Sequence, residues 1–185
     1  GAACPALGGQ VSVGTSLTFA DSADRVGGRQ TVGAVSIVFT PVSGVPSGGT
    51  ITIATPVNYF ATRNAAAPAS GSSIVCATAC AGVSVGNVTV TNDGASGTLT
   101  VVVSGGNGTT PSAITVTLGA GTLTTGSPQA STSGGITVST SRDYASVGVA
   151  SQALGGSVIV SSFSVFQADC PSAGSAVVVF KHVIT

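Results

Sequence analysis

Val83-Ser-Val-Gly-Asn-Val-Thr-Val-Thr-Asn-Asp-Gly-Ala-Ser-Gly-Thr-Leu-Thr-Val-Val-Val103 is the stretch that decides how this chain folds. Apolar side chains recur at every second position, the period of a strand with one buried face. Many of them are β-branched, which suits a pleated surface better than a helix. Asn92-Asp93-Gly94 separates the two runs, and all three residue types tolerate the positive φ of a tight hairpin. Beyond the turn, Leu99, Val101 and Val103 alternate with Thr98, Thr100 and Val102. Before it the alternation breaks once, because Val83 and Val85 have one parity and Val88 and Val90 the other. One extra residue near Gly86-Asn87 restores a single buried face, so the pattern predicts a β-bulge there.

The same period extends outward from this hairpin. Val35, Ile37 and Phe39 alternate with Ser36 and Thr40, and Ile51 and Ile53 with Thr50 and Thr52. The turn signal Pro46-Ser47-Gly48-Gly49 lies between them. Further strands are expected over 11–19 (Val11, Val13, Leu17, Phe19), 113–118, 135–140, 157–166 and 176–184. About nine or ten such strands, joined by Gly, Pro and Ser turns, predict an all-β fold. The expected architecture is an antiparallel two-sheet sandwich, Ig-like or jelly-roll-like, with a strand available for exchange between subunits. Residues 1–20 read as an N-terminal arm or first strand, and 21–185 as a single sandwich domain. Residues 61–73 read as a loop. Residues 141–156 fit either a short helix faced by Tyr144, Val147 and Leu154 or a wandering edge segment.

Charge is nearly absent. The chain has 5 Lys+Arg, 5 Asp+Glu and 1 His, a charged fraction of 5% against about 25% in an ordinary soluble domain. Net charge is zero, so the surface lacks the usual electrostatic protection against self-association. Glycans or neighbouring copies are expected to cover it. Mean hydropathy is +0.58, yet no run of 18 apolar residues exists, so no membrane-spanning helix is expected. Nor is there a basic patch for nucleic acid.

The sequence contains no Met, and Gly1-Ala2-Ala3-Cys4 reads as a mature N-terminus left after removal of a leader. Four cysteines, Cys4, Cys76, Cys80 and Cys170, suit an oxidising compartment. The expected pairing is Cys76 with Cys80, a tight staple, and Cys4 with Cys170. A bridge between subunits is the rival, and two close Cys pairs, which zinc would need, are missing. Asn87-Val88-Thr89 and Asn107-Gly108-Thr109 are glycosylation sequons, and with the cysteines they point to an extracellular, secreted or cell-surface location.

Catalytic groups are scarce. The one imidazole, His182, has no acidic partner at a recognisable spacing and reads as a strand residue. Asp21, Asp24, Arg25 and Arg29 read as a salt-bridged loop ahead of a calcium site. Arg142-Asp143 and Asp169 read as loop charges that satisfy backbone groups. No enzyme activity, cofactor or metal is therefore expected. Sugar platforms rely on aromatic faces, and only Tyr59 and Tyr144 among Trp and Tyr could supply one. Thr-x-Thr pairs recur (Thr50/Thr52, Thr89/Thr91, Thr98/Thr100, Thr115/Thr117, Thr122/Thr124). Rows of this kind on one flat face could bind ice, but the irregular intervals lack the fixed period of a solenoid.

Ala34-Val-Ser-Ile-Val-Phe-Thr-Pro-Val-Ser-Gly-Val-Pro-Ser-Gly-Gly-Thr-Ile-Thr-Ile-Ala-Thr-Pro-Val-Asn-Tyr-Phe60 resembles β-sandwich units of large repetitive secreted surface proteins of algae and other microbial eukaryotes. Gly135-Ile-Thr-Val-Ser-Thr-Ser-Arg-Asp-Tyr-Ala-Ser-Val147 is similar to a later strand of those units. The resemblance covers about two thirds of the chain and rests on structural motifs, so it implies a surface role and carries over no functional residue. An isolated unit could regain a chain-like architecture by polymerising.

The function expected from these readings is a structural subunit of an extracellular filament, pilus-like fibril or coat. It would be a homopolymer carrying covalent glycans, assembled by β-strand addition and apolar contacts. Candidate assembly strands are the doubly apolar run Val177, Val178, Val179 and Phe180, and the N-terminal pair Val11 and Val13. The alternative is a glycan- or receptor-binding sandwich module cut from a larger cell-surface protein.

Overall fold

A computed structural model describes residues 8–155. Ten strands account for its regular structure: β1 Ser12–Val13, β2 Thr18–Phe19, β3 Val35–Thr40, β4 Thr50–Pro56, β5 Arg63–Ala66, β6 Ser73–Cys76, β7 Ser84–Asn92, β8 Ser96–Ser104, β9 Ile114–Leu118 and β10 Thr137–Thr140. One 3-10 turn, Ser22–Arg25, interrupts them. The strands form two five-stranded sheets whose strand pairings are all antiparallel. One sheet runs β1-β3-β9-β6, with β2 also on β3, and the other runs β10-β4-β8-β7-β5. The two-sheet antiparallel sandwich expected from the period-two pattern is what forms.

The inner faces are the apolar parities read from the sequence. Val35, Ile37 and Phe39 on β3 and Ile114, Val116 and Leu118 on β9 are buried. So are Ile51 and Ile53 on β4, Leu99, Val101 and Val103 on β8, and Val88 and Val90 on β7. Phe19, Tyr59 and Phe60 form an aromatic cluster at one end of this core, with the Tyr59 and Phe60 rings edge to face at 5.1 Å. β7 and β8 are the predicted hairpin. Asp93 Oδ1 accepts from Ala95 N at 2.9 Å and Ser96 N at 2.7 Å, and Gly94 takes the positive φ of 87°. The predicted bulge is present: Val85 pairs with Val103 and Val88 with Val101, which leaves one extra residue on β7.

Other expectations change. Part of 61–73 is not a loop, since β5 pairs with β7 and β6 begins at Ser73. Small residues hid β5 from a pattern search: only Arg63 is half-buried, and Asn64, Ala65 and Ala66 are exposed. Residues 141–155 contain no helix and run along the sandwich edge. There Gln10 bridges Tyr144, Ile136 bridges Val149 and Gln129 bridges Leu154. The first strand expected over 11–19 splits into β1 and β2 on either side of Gly14-Thr15-Ser16. The strands expected over 157–166 and 176–184 lie outside the described residues.

Candidate assembly and glycosylation surfaces

Among the described residues, the loops and the 3-10 turn hold almost all of the charge. Across the ten strands the one charged residue is Arg63 on β5. The outer sheet faces therefore consist mainly of hydroxyls, small residues and Val, with Asn64 and Asn87 as exposed amides. On the first sheet the register aligns Thr18, Ser36, Thr117 and Ser73 across four strands, beside a row of Val38, Thr115 and Val75. On the second it aligns Ser139, Thr52, Thr100 and Thr89, and next to them Thr137, Ala54, Thr98 and Thr91. Three of the Thr-x-Thr pairs, Thr50/Thr52, Thr89/Thr91 and Thr98/Thr100, thus share a sheet. Thr115/Thr117 sits on the other sheet, and Thr122 is buried, so the five pairs do not make one face.

Several loop charges are spent internally. Asp24 is fully buried and accepts from Val32 N at 2.9 Å and Gly33 N at 2.7 Å, while Arg29 Nε stands 4.0 Å away. Asp21 caps the 3-10 turn by accepting from Ala23 N at 2.8 Å. The cluster read as a salt-bridged loop is therefore mainly carboxylates bonded to backbone, because a fixed N–H solvates a buried carboxylate without ordering a long side chain. Asp143 is buried as well. Its Oδ2 accepts from Ser43 N at 2.9 Å, and its Oδ1 has no partner among the described residues. The described residues contain no group of three His, Cys, Asp or Glu side chains placed to hold a metal.

Cys76 and Cys80 form a disulfide that closes the loop leaving β6. Cys4 and Cys170 lie outside the described residues, as do Asp169, His182 and the run Val177, Val178, Val179 and Phe180. Both sequon asparagines are exposed. Asn87 is at the β7 bulge, and Asn107 is in the loop after β8. Ser84 of β7 pairs with Ser104 of β8, so the two sequons share one end of the sandwich and the Asp93-Gly94 turn marks the other. Inside the second sequon, Gly108 has φ of 87° and leaves no room for a Cβ, which would meet Val45 O at 2.3 Å. Thr109 is buried and accepts from Val45 N at 2.9 Å.

Tyr59 is not a surface ring. It is fully buried, and among the described residues its hydroxyl makes no hydrogen bond of ordinary geometry, although the Gln152 backbone is near. Burial pushes its phenol up from 10.0 to about 12, and the Gln152 backbone and the Arg25 charge offset that only in part. Tyr144 is 61% exposed. At the hairpin end an open groove of about 600 Å³ is lined by Phe60, Asn58, Asn92, Thr62, Thr124 and Ser127 among others, all uncharged. The Asn92 amide is already occupied, accepting from Asn58 N and donating to Phe60 O and Thr62 Oγ1.

The sheet edges differ sharply. On one side, residues 141–149 close both sheets. Val11 N donates to Tyr144 O and Tyr144 N to Gly9 O beside β1, and Ser146 N donates to Val138 O beside β10. Val11 and Val13 belong to this closed side: Val11 is buried and β1 pairs with β3 of the same chain. On the other side, β5 carries Arg63 and an irregular register, whereas β6 is uncharged and in continuous register with β9. No protein-family model matches the chain, and no curated protein or solved structure matches it.

Proposed function

We propose that the protein is a structural subunit of an extracellular filament or coat that assembles through contacts between copies and carries glycans at Asn87 and Asn107. The observation that carries this reading is the pair of sandwich faces whose ten strands hold a single charge. A monomer exposed on all sides would have little to hold it apart from its neighbours. Copies that pack face to face or edge to edge remove that surface from water. The Cys76–Cys80 bridge and the two exposed sequons support an oxidising, secretory setting. The resemblance to units of repetitive secreted surface proteins supports it too.

Electron microscopy of purified native material tests the reading, with polymers as the expected result and a monodisperse monomer at high concentration as the refuting one. Glycan occupancy is read by mass spectrometry. Asn87→Gln and Asn107→Gln should each remove one glycan mass from a eukaryotic secretory expression host, and unmodified asparagines there would remove that part of the proposal.

A second reading is a binding module for neutral glycans, favoured by the uncharged groove at the hairpin end and by the exposed Tyr144 ring. Glycan-array binding lost in Asn58→Ala or Tyr144→Ala would support it.

A further inference from the structure

Resting on the filament reading, we infer that the acceptor edge of each subunit is β6 and that its occupant is the Ala176–Thr185 run of a second copy. A sheet edge templates another strand when its unpaired N–H and C=O groups are accessible, flat and uncharged. Residues 141–149 cover the β1 and β10 edges, and Arg63 and an irregular register blunt β5. β2, which also lies at an edge, is only two residues long, so β6 is the longest of the described edges that meets all the conditions. Ala77 N donates to Ala113 O at 2.8 Å, and this bond sets the phase of the antiparallel ladder. Ser73 and Val75 exchange bonds with Thr117 and Thr115, while Ile74 and Cys76 turn their N–H and C=O groups away from β9. No described residue bonds to those outward groups.

The side chains of β6 specify what can lie beside it. Ile74 points inward and is 5% exposed, Cys76 packs against the core, and Val75 points outward and is 58% exposed. An added strand would therefore meet apolar neighbours on both of its faces. Most outer-face strands of this chain have hydroxyls on one side and would leave Val75 uncovered. The run Ala176-Val177-Val178-Val179-Phe180 is apolar at both parities. Val177 and Val179 would lie on one side of the sheet, Val178 and Phe180 on the other. Reach is ample, since the stretch from Gly155 to Ala176 spans up to about 70 Å when extended. Donation from one copy to the next is heterologous, so it propagates into a fibre and does not close a dimer.

Complementation between two full-length variants tests this. Val75→Lys places a charge on the acceptor edge at an exposed position, and Val177→Asp/Val178→Asp spoils both faces of the donor. Each variant alone should remain monomeric with the far-ultraviolet circular dichroism of the wild type, and Val75→Thr should still polymerise. Mixed in equal amounts, the two defective chains should form a two-chain complex and no filaments. Amide hydrogen exchange gives a second readout: Ile74 and Cys76 N–H should exchange at least 100-fold more slowly in wild-type filaments than in the donor variant. Val75→Lys filaments like those of the wild type would overturn the acceptor assignment and leave the filament reading intact. A mixture that stays monomeric, or equal exchange at Ile74 and Cys76, would overturn donation between copies. A wild-type chain that never polymerises would remove the filament reading itself.

Discussion

The Asp24 carboxylate makes its shortest contacts to main-chain N–H groups, 2.7 Å to Gly33 and 2.9 Å to Val32, with the Arg29 guanidinium held off at 4.0 Å. Asp24→Ala should therefore cost about 2–4 kcal/mol, because it strands two donors in the interior. Arg29, whose side chain is 43% exposed, should lose less than about 1 kcal/mol on truncation to Ala. Urea denaturation separates the two, and equal losses would mean the ion pair dominates. Tyr59 makes a different prediction. Its folded phenol titrates at about 12 against 10.0 for the ordinary value, so the neutral form is the one the fold retains. Stability from this group is complete below pH 10 and falls by about 1.4 kcal/mol per pH unit as the pH rises from 10 to 12. Tyr59→Phe should erase that alkaline loss. At neutral pH it should change stability by less than about 1 kcal/mol, since among the described residues the hydroxyl it removes makes no hydrogen bond of ordinary geometry.

Among the elements, the β7–β8 hairpin was fully legible. Its parity break at Val85 and Val88 is a local signal, and a bulge is the local remedy. β5 and β6 were not legible as a pair. Arg63–Ala66 has too few large apolar side chains to mark a strand, and its partners on β7, Val90 for Arg63 and Val88 for Ala66, lie far downstream. β6 sets two adjacent apolar residues, Ile74 and Val75, on opposite faces, so it shows no apolar–polar alternation, and its four residues are too few to separate from the loop before it. The Cys76–Cys80 bridge anchors its end, and its short loop implies a contribution of about 2 kcal/mol on the chain-entropy model. A Cys76→Ser/Cys80→Ser variant should lose about that amount in thermal or urea unfolding and stay folded. Loss of the whole sandwich would show that the bridge does more than close a small loop.

For the molecule as a whole, a surface with so little charge makes any assembly insensitive to screening. Filaments should persist from 0.1 M to 1 M NaCl, where the Debye length shortens from about 10 Å to about 3 Å. Sulfate should strengthen them, because excluded salts favour apolar burial. Dissolution in NaCl would point to the few loop charges as the contacts. The alternation of apolar and hydroxyl residues was enough to determine the fold class, the inner faces, the hairpin and its bulge, because strand parity is a local property. The Cys76–Cys80 staple was the pairing that spacing favoured over a bridge between subunits. Tertiary structure decided the rest. It buried Tyr59, a ring that composition alone offers as a sugar platform, and used Asp24 and Asp143 to hold backbone groups. It closed the β1 and β10 edges with residues 141–149 and left β6 uncovered among the described residues. Which edge stays open depends on what packs beside it, and those neighbours are set by contacts between segments far apart in the chain, which no local period encodes.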